Sequence, residues 1–162
     1  MKKNSSPVTL LLTLLLLCFQ VPAVAVHAQD KSAARVASLL EESGYAYTKA
    51  ADSVWAVAFE GKSLPKFNVV ASTQQDVLVL FTIVAEKKNL RLTPEDMQRL
   101  LKLNGDLDRV KIGVDKDGDL FVRIDLSIRV LDTRELKENI EQVAAATDVV
   151  FSAMRPSISS PK

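Results

Sequence analysis

The sequence predicts an α+β domain, in which helices flank an antiparallel sheet in the order α-β-β-β-β-α-β-β-α. Two observations predict this class. Strand-like segments follow one another with only short turns between them, and helix-like segments lie at the start, in the middle and at the end. Short turns join antiparallel strands, whereas parallel strands need long crossover connections. A length of 162 residues suits one such domain.

The first 28 residues predict a secretory signal peptide that lies outside the folded domain. Two lysines come near the start, a nearly unbroken apolar run covers residues 8–19, and small residues precede a predicted cleavage between Ala28 and Gln29. We therefore expect an exported protein, periplasmic or secreted. Residues 29–156 form the predicted domain, and residues 157–162 a flexible tail.

Two alternatives to cleavage stay open. No charge falls between Lys3 and Asp30, so the segment is also long enough to anchor the chain in a membrane. Cys18 raises the option of lipidation, although it lacks the small residue that such a signal needs before the cysteine. Contact with a membrane is expected only if the segment is not cleaved.

Cleavage would remove the only cysteine, Cys18, and the only histidine, His27. The mature chain would then lack a thiol nucleophile, an imidazole base and the usual zinc ligands. The 20 carboxylates are scattered and single out no catalytic pair, so we expect no enzyme, no metal and no cofactor. A net charge of +1 also gives no electrostatic case for binding nucleic acid.

The first half of the domain predicts one helix and four strands. A helix is expected over residues 33–43, because apolar residues recur on one face and Gly44 follows them. Alternation and turn residues predict strands over residues 45–50, 54–59, 67–72 and 77–84. In the last of these, the residues of both faces are apolar, which indicates a central strand covered on both sides. The second face would then be covered by the final helix or by another subunit.

The second half predicts two helices and a hairpin. Thr93 caps the middle helix, Pro94 takes its first position, and the helix ends at Asn104–Gly105. Strands are expected over residues 110–114 and 120–130. A final helix over residues 134–154 begins after Asp132 or Thr133, and the residues beyond it are expected to fray. The middle helix is expected to bury Met97, Leu100, Leu101 and Leu103.

The acidic segment Asp115–Asp119 admits two interpretations. Asp-Gly between two alternating strands is typical of a tight hairpin turn, with Gly118 at its tip. Clustered carboxylates also suit calcium, but the glycine and glutamate of an EF-hand loop are not at the required positions. We favour the turn, and weak calcium binding stays open.

The strand after this turn carries the predicted binding site. Its outward positions alternate an aromatic residue with charged ones, a combination that is favoured at protein interfaces. Solvated, weakly paired charges are the alternative explanation. The predicted partner-binding residues are Phe121, Arg123, Asp125 and Arg129, extended by Val79 and Phe81 on the central strand.

Six segments in a fixed order carry a family resemblance. They are Leu39-Leu-Glu-Glu-Ser-Gly-Tyr45, Val54-Trp-Ala-Val-Ala-Phe-Glu-Gly61, Leu64-Pro65, Leu100-Leu-Lys-Leu-Asn104, Val110-Lys-Ile-Gly-Val-Asp-Lys-Asp-Gly-Asp119 and Leu131 to Leu136. Between about Ala34 and Pro156 the chain resembles the YbjN-like family, which shares the fold of type III secretion chaperones. The resemblance implies a domain that is often dimeric, binds instead of catalysing, and has sensory or regulatory roles. Secretion chaperones work in the cytoplasm, so the signal peptide is a departure from that pattern.

Together these observations predict an exported, non-catalytic module of chaperone-like or regulatory type. Its expected partner is a polypeptide of unknown identity, docked on the sheet face, and a homodimer is also expected. The alternative is a carrier that holds a small apolar ligand between sheet and helix, which would require a cavity of several hundred Å³.

Overall fold

The computed structural model describes residues 24–159, with side chains from residue 31 onward. The predicted signal peptide thus lies outside the described residues, apart from the backbone of its last five positions. The same holds for the side chains of Ala28 and Gln29 at the predicted cleavage point.

The described residues form three α-helices and six strands. Their bounds are α1 (Val24–Ser43), β1 (Tyr47–Ala51), β2 (Val54–Phe59), β3 (Phe67–Gln74), β4 (Val77–Ala85), α2 (Pro94–Asp106), β5 (Lys111–Val114), β6 (Leu120–Ser127) and α3 (Thr133–Met154). This is the predicted order. Helix α1 begins nine residues earlier than the predicted 33, and β3 runs two residues further than the predicted 72.

The six strands form one sheet in the order β1-β2-β3-β4-β6-β5, and every neighbouring pair is antiparallel. The predicted fold class is therefore confirmed. Strand β4 lies in the middle of the sheet, between β3 and β6, as its apolar sequence indicates. Its pairing with β6 spans the long connection that contains α2 and β5.

The three helices pack on one face of the sheet and on one another. The core between them is filled by aliphatic side chains that are fully buried, chiefly Val36, Leu40, Val69, Leu78, Leu80, Leu120, Leu136, Ile140 and Met154. Alternate residues of the strands supply the sheet's side of this core, because successive side chains point to opposite faces. The final helix thus shares the face of α1 and does not cover the second face of β4.

Local sequence signals set the ends of the helices as expected. Thr93 and Asp96 form a reciprocal capping box at the start of α2, with Pro94 in the first turn. Asp132, one of the two predicted caps, accepts a hydrogen bond from the Glu135 amide at the start of α3. Gly44 follows α1 with a φ of 77°, a conformation that glycine adopts without strain.

Strand β6 is shorter than the predicted 120–130. It ends at Ser127, and residues 128–130 form a turn in which the Ile128 amide donates to the Asp76 carbonyl at 2.9 Å. Val130, which the alternation of the predicted strand 120–130 places on the core side with Leu120, is 76% exposed. The bond to Asp76 continues the β4–β6 register by one residue, since Val77 pairs with Ser127, and β6 ends where its partner strand enters the turn at residues 75–76.

Helix α2 buries less than its sequence predicts. Leu100 is buried, but Met97 and Leu101 are 46% and 71% exposed, so their assignment to the core was wrong. The helix also continues through Asn104 to Asp106. The Asn104 side chain accepts from the amide of Ile112 and donates to its carbonyl, and these two bonds join α2 to β5.

The residues after α3 are held in place as far as 159. Leu90 and Ile158 form an isolated antiparallel bridge, and the Ser159 amide donates to the Asn89 carbonyl at 2.8 Å. The Ser157 hydroxyl donates to Asp96 at 2.7 Å. The predicted fraying of this tail is therefore not seen for residues 155–159.

Candidate functional site

The second face of the sheet carries the candidate site. Among residues 31–159 no helix covers it, and we call it the outer face. Its members come from β2 to β6: Ala56, Val70, Ser72, Val77, Val79, Phe81, Ile83, Lys111, Gly113, Phe121, Arg123 and Asp125.

The strand register aligns these side chains in rows across the sheet. The central row runs Ala56, Val70, Phe81, Arg123, Lys111, each directly opposite the next. One adjoining row runs Ser72, Val79, Asp125, and the other runs Ile83, Phe121, Gly113. The face is thus apolar over β2 and β4, is mixed over β3, where Ser72 and Gln74 share the side of Val70, and becomes charged toward β6 and β5.

The apolar part of the outer face reaches solvent. Val77 and Ile83 are 39% and 38% exposed, and Phe81 is half-buried. A shallow depression of about 200 Å³ lies on this face, lined by the apolar Val79, Phe81, Ile83 and Phe121 and by the polar Gln74, Asp115 and Arg123. A surface of this kind, apolar at the centre and charged at one side, is typical of a site that binds another molecule.

The charged corner is built on Asp125. Its Oδ1 accepts from Nε and Nη2 of Arg123 at 3.0 and 2.7 Å, and its Oδ2 accepts from Nζ of Lys111 at 2.6 Å. Burial raises the pKa of Asp125, but the bonds from Lys111 and Arg123 outweigh it and hold that pKa below its usual range. Asp125 therefore stays ionised, and it fixes the guanidinium of Arg123 beside Phe81.

Five of the six predicted binding residues lie together on the outer face. Val79, Phe81, Phe121, Arg123 and Asp125 occupy adjacent positions of β4 and β6. Val79 is only 7% exposed, so it forms the floor of the site more than its contact surface.

The sixth predicted residue, Arg129, is not on this face. It lies in the turn beyond β6, with Nε 4.0 Å from Oδ2 of Asp76 and its side chain 78% exposed. Its placement on the strand was wrong, because the strand ends two residues before it.

Lys111 and Ile83 belong to the site but were missing from the prediction. Both could have been suspected from alternation, since Lys111 precedes the buried Ile112 and Ile83 shares the parity of Phe81. Their position opposite Arg123 and Phe121 depends on register, which the separate strands do not reveal.

The acidic segment Asp115–Asp119 forms a tight turn held by its own backbone amides. Oδ1 of Asp115 accepts from the amides of Asp117 and Asp119, both at 2.9 Å, and Gly118 has a φ of 90°. Oδ1 of Asp119 accepts from the Lys87 amide at 2.8 Å. Within the part of the chain that the structure describes, no group of three or more carboxylate, histidine or cysteine side chains converges as a metal site would require.

The space between sheet and helices offers the alternative, a small-ligand carrier, little support. Side chains from both layers fill it, and many of them, such as Leu40, Leu80 and Ile140, are fully buried. Over residues 24–159, moreover, no helix has both the length and the apolar character of a membrane span.

The helix-covered antiparallel sheet defines a class of fold that solved structures also show. A chain of the HopA1–SchA chaperone–effector complex is 16% identical, with a TM-score of 0.55 over 76% of this chain and 98% of that one. A chain of the ExoU–SpcU complex, from the type III secretion system of Pseudomonas aeruginosa, is 16% identical, with a TM-score of 0.52 over 74% and 97%. The protein therefore has the fold of type III secretion chaperones.

The family follows from the sequence itself. The profile of the YbjN family, described as "Putative bacterial sensory transduction regulator", matches residues 32–156, and the chain belongs to this family. YbjN from E. coli is 13% identical, with a TM-score of 0.54 over 78% of this chain and 93% of that one. No curated protein matches the chain.

Proposed function

We propose that this protein is an exported, non-catalytic binding module of chaperone-like or regulatory type, which docks a peptide or a partner protein on the outer face of its sheet. One observation carries the proposal. The outer face has an apolar centre that reaches solvent, and among the described residues no helix packs on it. Apolar surface of this kind on a small domain is usually an interaction site.

The fold relatives support a polypeptide as the partner. One is a chain of a chaperone–effector complex and another is a chain of a heterodimeric complex of the type III secretion system, and their sheet-and-helix fold is the one described above. The family description adds a regulatory role. Both roles require binding and neither requires a catalytic residue.

Docking would bury side chains of the partner against Phe81 and Ile83, where the outer face is most open. Burial of apolar surface contributes roughly 25 cal/mol per Å², so even a short apolar segment gains several kcal/mol before the cost of ordering it. An extended partner could also add a strand at β1 or β5, the two edges of the sheet.

Export is part of the proposal and rests on the sequence alone. Removal of residues 1–28 would leave a mature chain that begins at Gln29, just before the matched region starts at residue 32. A homodimer remains a prediction, to be tested by sedimentation of the purified protein.

Affinity capture with matched variants tests the docking face. Purified protein would be immobilised and exposed to an extract of the cell envelope, and bound polypeptides would be identified by mass spectrometry. We expect one polypeptide near stoichiometry, lost in Phe81→Glu and retained in Leu101→Glu, which places the same charge on exposed apolar surface of α2. Equal capture of the polypeptide by both variants would show that the binding site is not on the outer face.

A further inference from the structure

The charged corner of the outer face presents more free hydrogen-bond donors than Asp125 can accept from. Both oxygens of Asp125 are taken by Arg123 and Lys111. Within the described residues, Nη1 of Arg123 has no acceptor, and the Lys111 ammonium has one acceptor for its three N–H groups. Arg123, Lys111 and Asp125 together carry a net charge of +1, and the neighbouring carboxylate, Asp115, turns its Oδ1 to the backbone of its own turn.

Covering this corner with a purely apolar partner would be costly. Arg123 is 41% exposed, and its remaining N–H groups would lose their water without gaining an acceptor. A carboxylate in the partner would instead accept from a guanidinium that Asp125 already holds in place, so little side-chain entropy is lost on binding. Phe81 lies next to Arg123 in the central row and offers apolar contact to the neighbouring residue of the partner.

We propose that the outer face recognises a short apolar polypeptide segment that contains an aspartate or a glutamate, with the carboxylate bound at Arg123 and Lys111. This inference rests on the proposed function and names the chemistry of its partner. Asp125 is then a positioning residue, which orients the two cations and does not itself contact the partner.

A second copy of the chain fits this corner less well. Two-fold packing centred on it would set the donors of one copy against the donors of the other. Of the nearby carboxylates, Asp125 is already paired, and Oδ1 of Asp115 is bonded to the backbone of its own turn.

Peptide selection tests the inference without a known partner. Protein produced from the full-length gene would be used to select from a phage-displayed library of random short peptides. One enriched peptide would then be synthesised in two forms, with its acidic residue and with the matching amide. Dissociation constants would be measured for the wild-type protein, Arg123→Gln, and Arg134→Gln as a control that loses the same charge on α3, where that side chain is 84% exposed.

We expect enriched peptides to carry an acidic residue among apolar ones. Either the amide peptide or Arg123→Gln should weaken binding about tenfold or more, and the two changes together should cost little more than one of them. Arg134→Gln should bind as the wild type does, and circular dichroism would verify that each variant is folded.

The outcomes separate this inference from the proposed function. Peptides that bind equally well as acid and amide, yet are lost in Phe81→Glu, would overturn the acidic specificity and leave the docking face standing. Peptides unaffected by Phe81→Glu would overturn both. Self-association that competes with peptide and disappears in Arg123→Gln would show that a second copy is the occupant, and this would also overturn the inference.

Discussion

The ring of Phe121 lies over Gly113, its partner on the neighbouring strand. A Cβ added at residue 113 would stand 2.9 Å from Cζ of that ring, closer than carbon atoms pack. Gly113 is thus the position on β5 that leaves room for the far end of the Phe121 ring. Phe121 therefore has a structural role in covering the β5 backbone, in addition to any contact with a partner.

The first prediction concerns this pair. Gly113→Val should displace the ring and lower the free energy of unfolding by roughly 1–3 kcal/mol, as overpacking does. In a Phe121→Ala background the same change should cost much less, because the ring is gone and valine suits a strand. Urea denaturation of the four proteins measures both costs, and equal costs would show that the ring does not constrain residue 113.

Asp148 on α3 holds the loop between β2 and β3. Its Oδ1 accepts from the amides of Ser63 and Leu64 at 2.7 and 2.9 Å, and these bonds, with Leu64 the largest cause, lower the pKa of the carboxyl. A pKa lowered by folding means that the carboxylate stabilises the fold above its ordinary pKa. This stabilisation is lost as the pH falls through the folded-state value.

The second prediction follows from that sign. Asp148→Asn should lower the free energy of unfolding by about 1 kcal/mol at neutral pH, and the difference from the wild type should shrink as the pH falls below the ordinary carboxyl pKa of 3.8. Asp52→Asn is the matched control, because the Asp52 side chain is fully exposed and its ion pair with the exposed Lys49, 3.6 Å between Nζ and Oδ1, should contribute little to stability. A difference that stays constant with pH would show that the carboxylate's charge is not what holds the loop.

The third prediction concerns Asp96 and Ser157. The Ser157 hydroxyl is the largest cause that lowers the pKa of Asp96, ahead of the amide and hydroxyl of Thr93. Ser157→Ala should raise that pKa toward its usual value, which a carbon-detected NMR titration would measure. Ser152→Ala, an exposed serine on α3, should leave it unchanged. No change in Ser157→Ala would mean that the tail does not rest on Asp96 in solution.

The fourth prediction concerns a polar side chain in the core. Asn139 is fully buried, its Nδ2 bonds to the Glu135 carbonyl, and its Oδ1 has no partner among the described residues. Asn139→Leu should raise the free energy of unfolding by about 1 kcal/mol, because it removes a buried acceptor without a donor. Asn139→Asp should lower it, since it buries an unpaired charge. Thermal unfolding distinguishes the two, and a less stable leucine variant would indicate that an unseen donor serves this oxygen.

The fifth prediction concerns export. Intact-mass spectrometry of the protein purified from its host should give a chain that begins at Gln29. Ala28→Phe should block cleavage and leave the longer chain, because the position before the cut requires a small residue. A wild-type mass that still includes residues 1–28 would support the membrane-anchor alternative.

Much of the fold follows from local sequence patterns. Alternation, an unbroken apolar run for β4 and turn residues identified all six strands, and Thr93, Pro94 and Asp132 marked the starts of α2 and α3 correctly. These signals succeed because they report the conformation of adjacent residues. They do not report which strands pair. Nothing local shows that β4 pairs with β6, because 35 residues separate the end of β4 at Ala85 from the start of β6 at Leu120.

The errors have the same origin. Arg129 was placed on β6 because the apolar alternation continues past Ser127, but the partner strand β4 begins only at Val77, so there is no strand for Arg129 to pair with. Leu101 was placed in the core because helical periodicity puts it on the apolar side of α2. In the structure α2 faces β5 through Leu100 and Asn104, and Leu101 points away from that contact to solvent. The corner at Lys111 required the register of two strands, which only the assembled sheet provides.

The β4–β6 pairing sets the order in which this chain can fold. Strands β1 to β4 are joined by short turns and can form a meander early, whereas β6 must close a loop across α2 and β5 before it reaches β4. Until then β4 is an apolar strand with one open edge, the state most exposed to aggregation. We therefore expect the pairing of β6 with β4 to be the step that converts an aggregation-prone sheet of four strands into a stable domain of six.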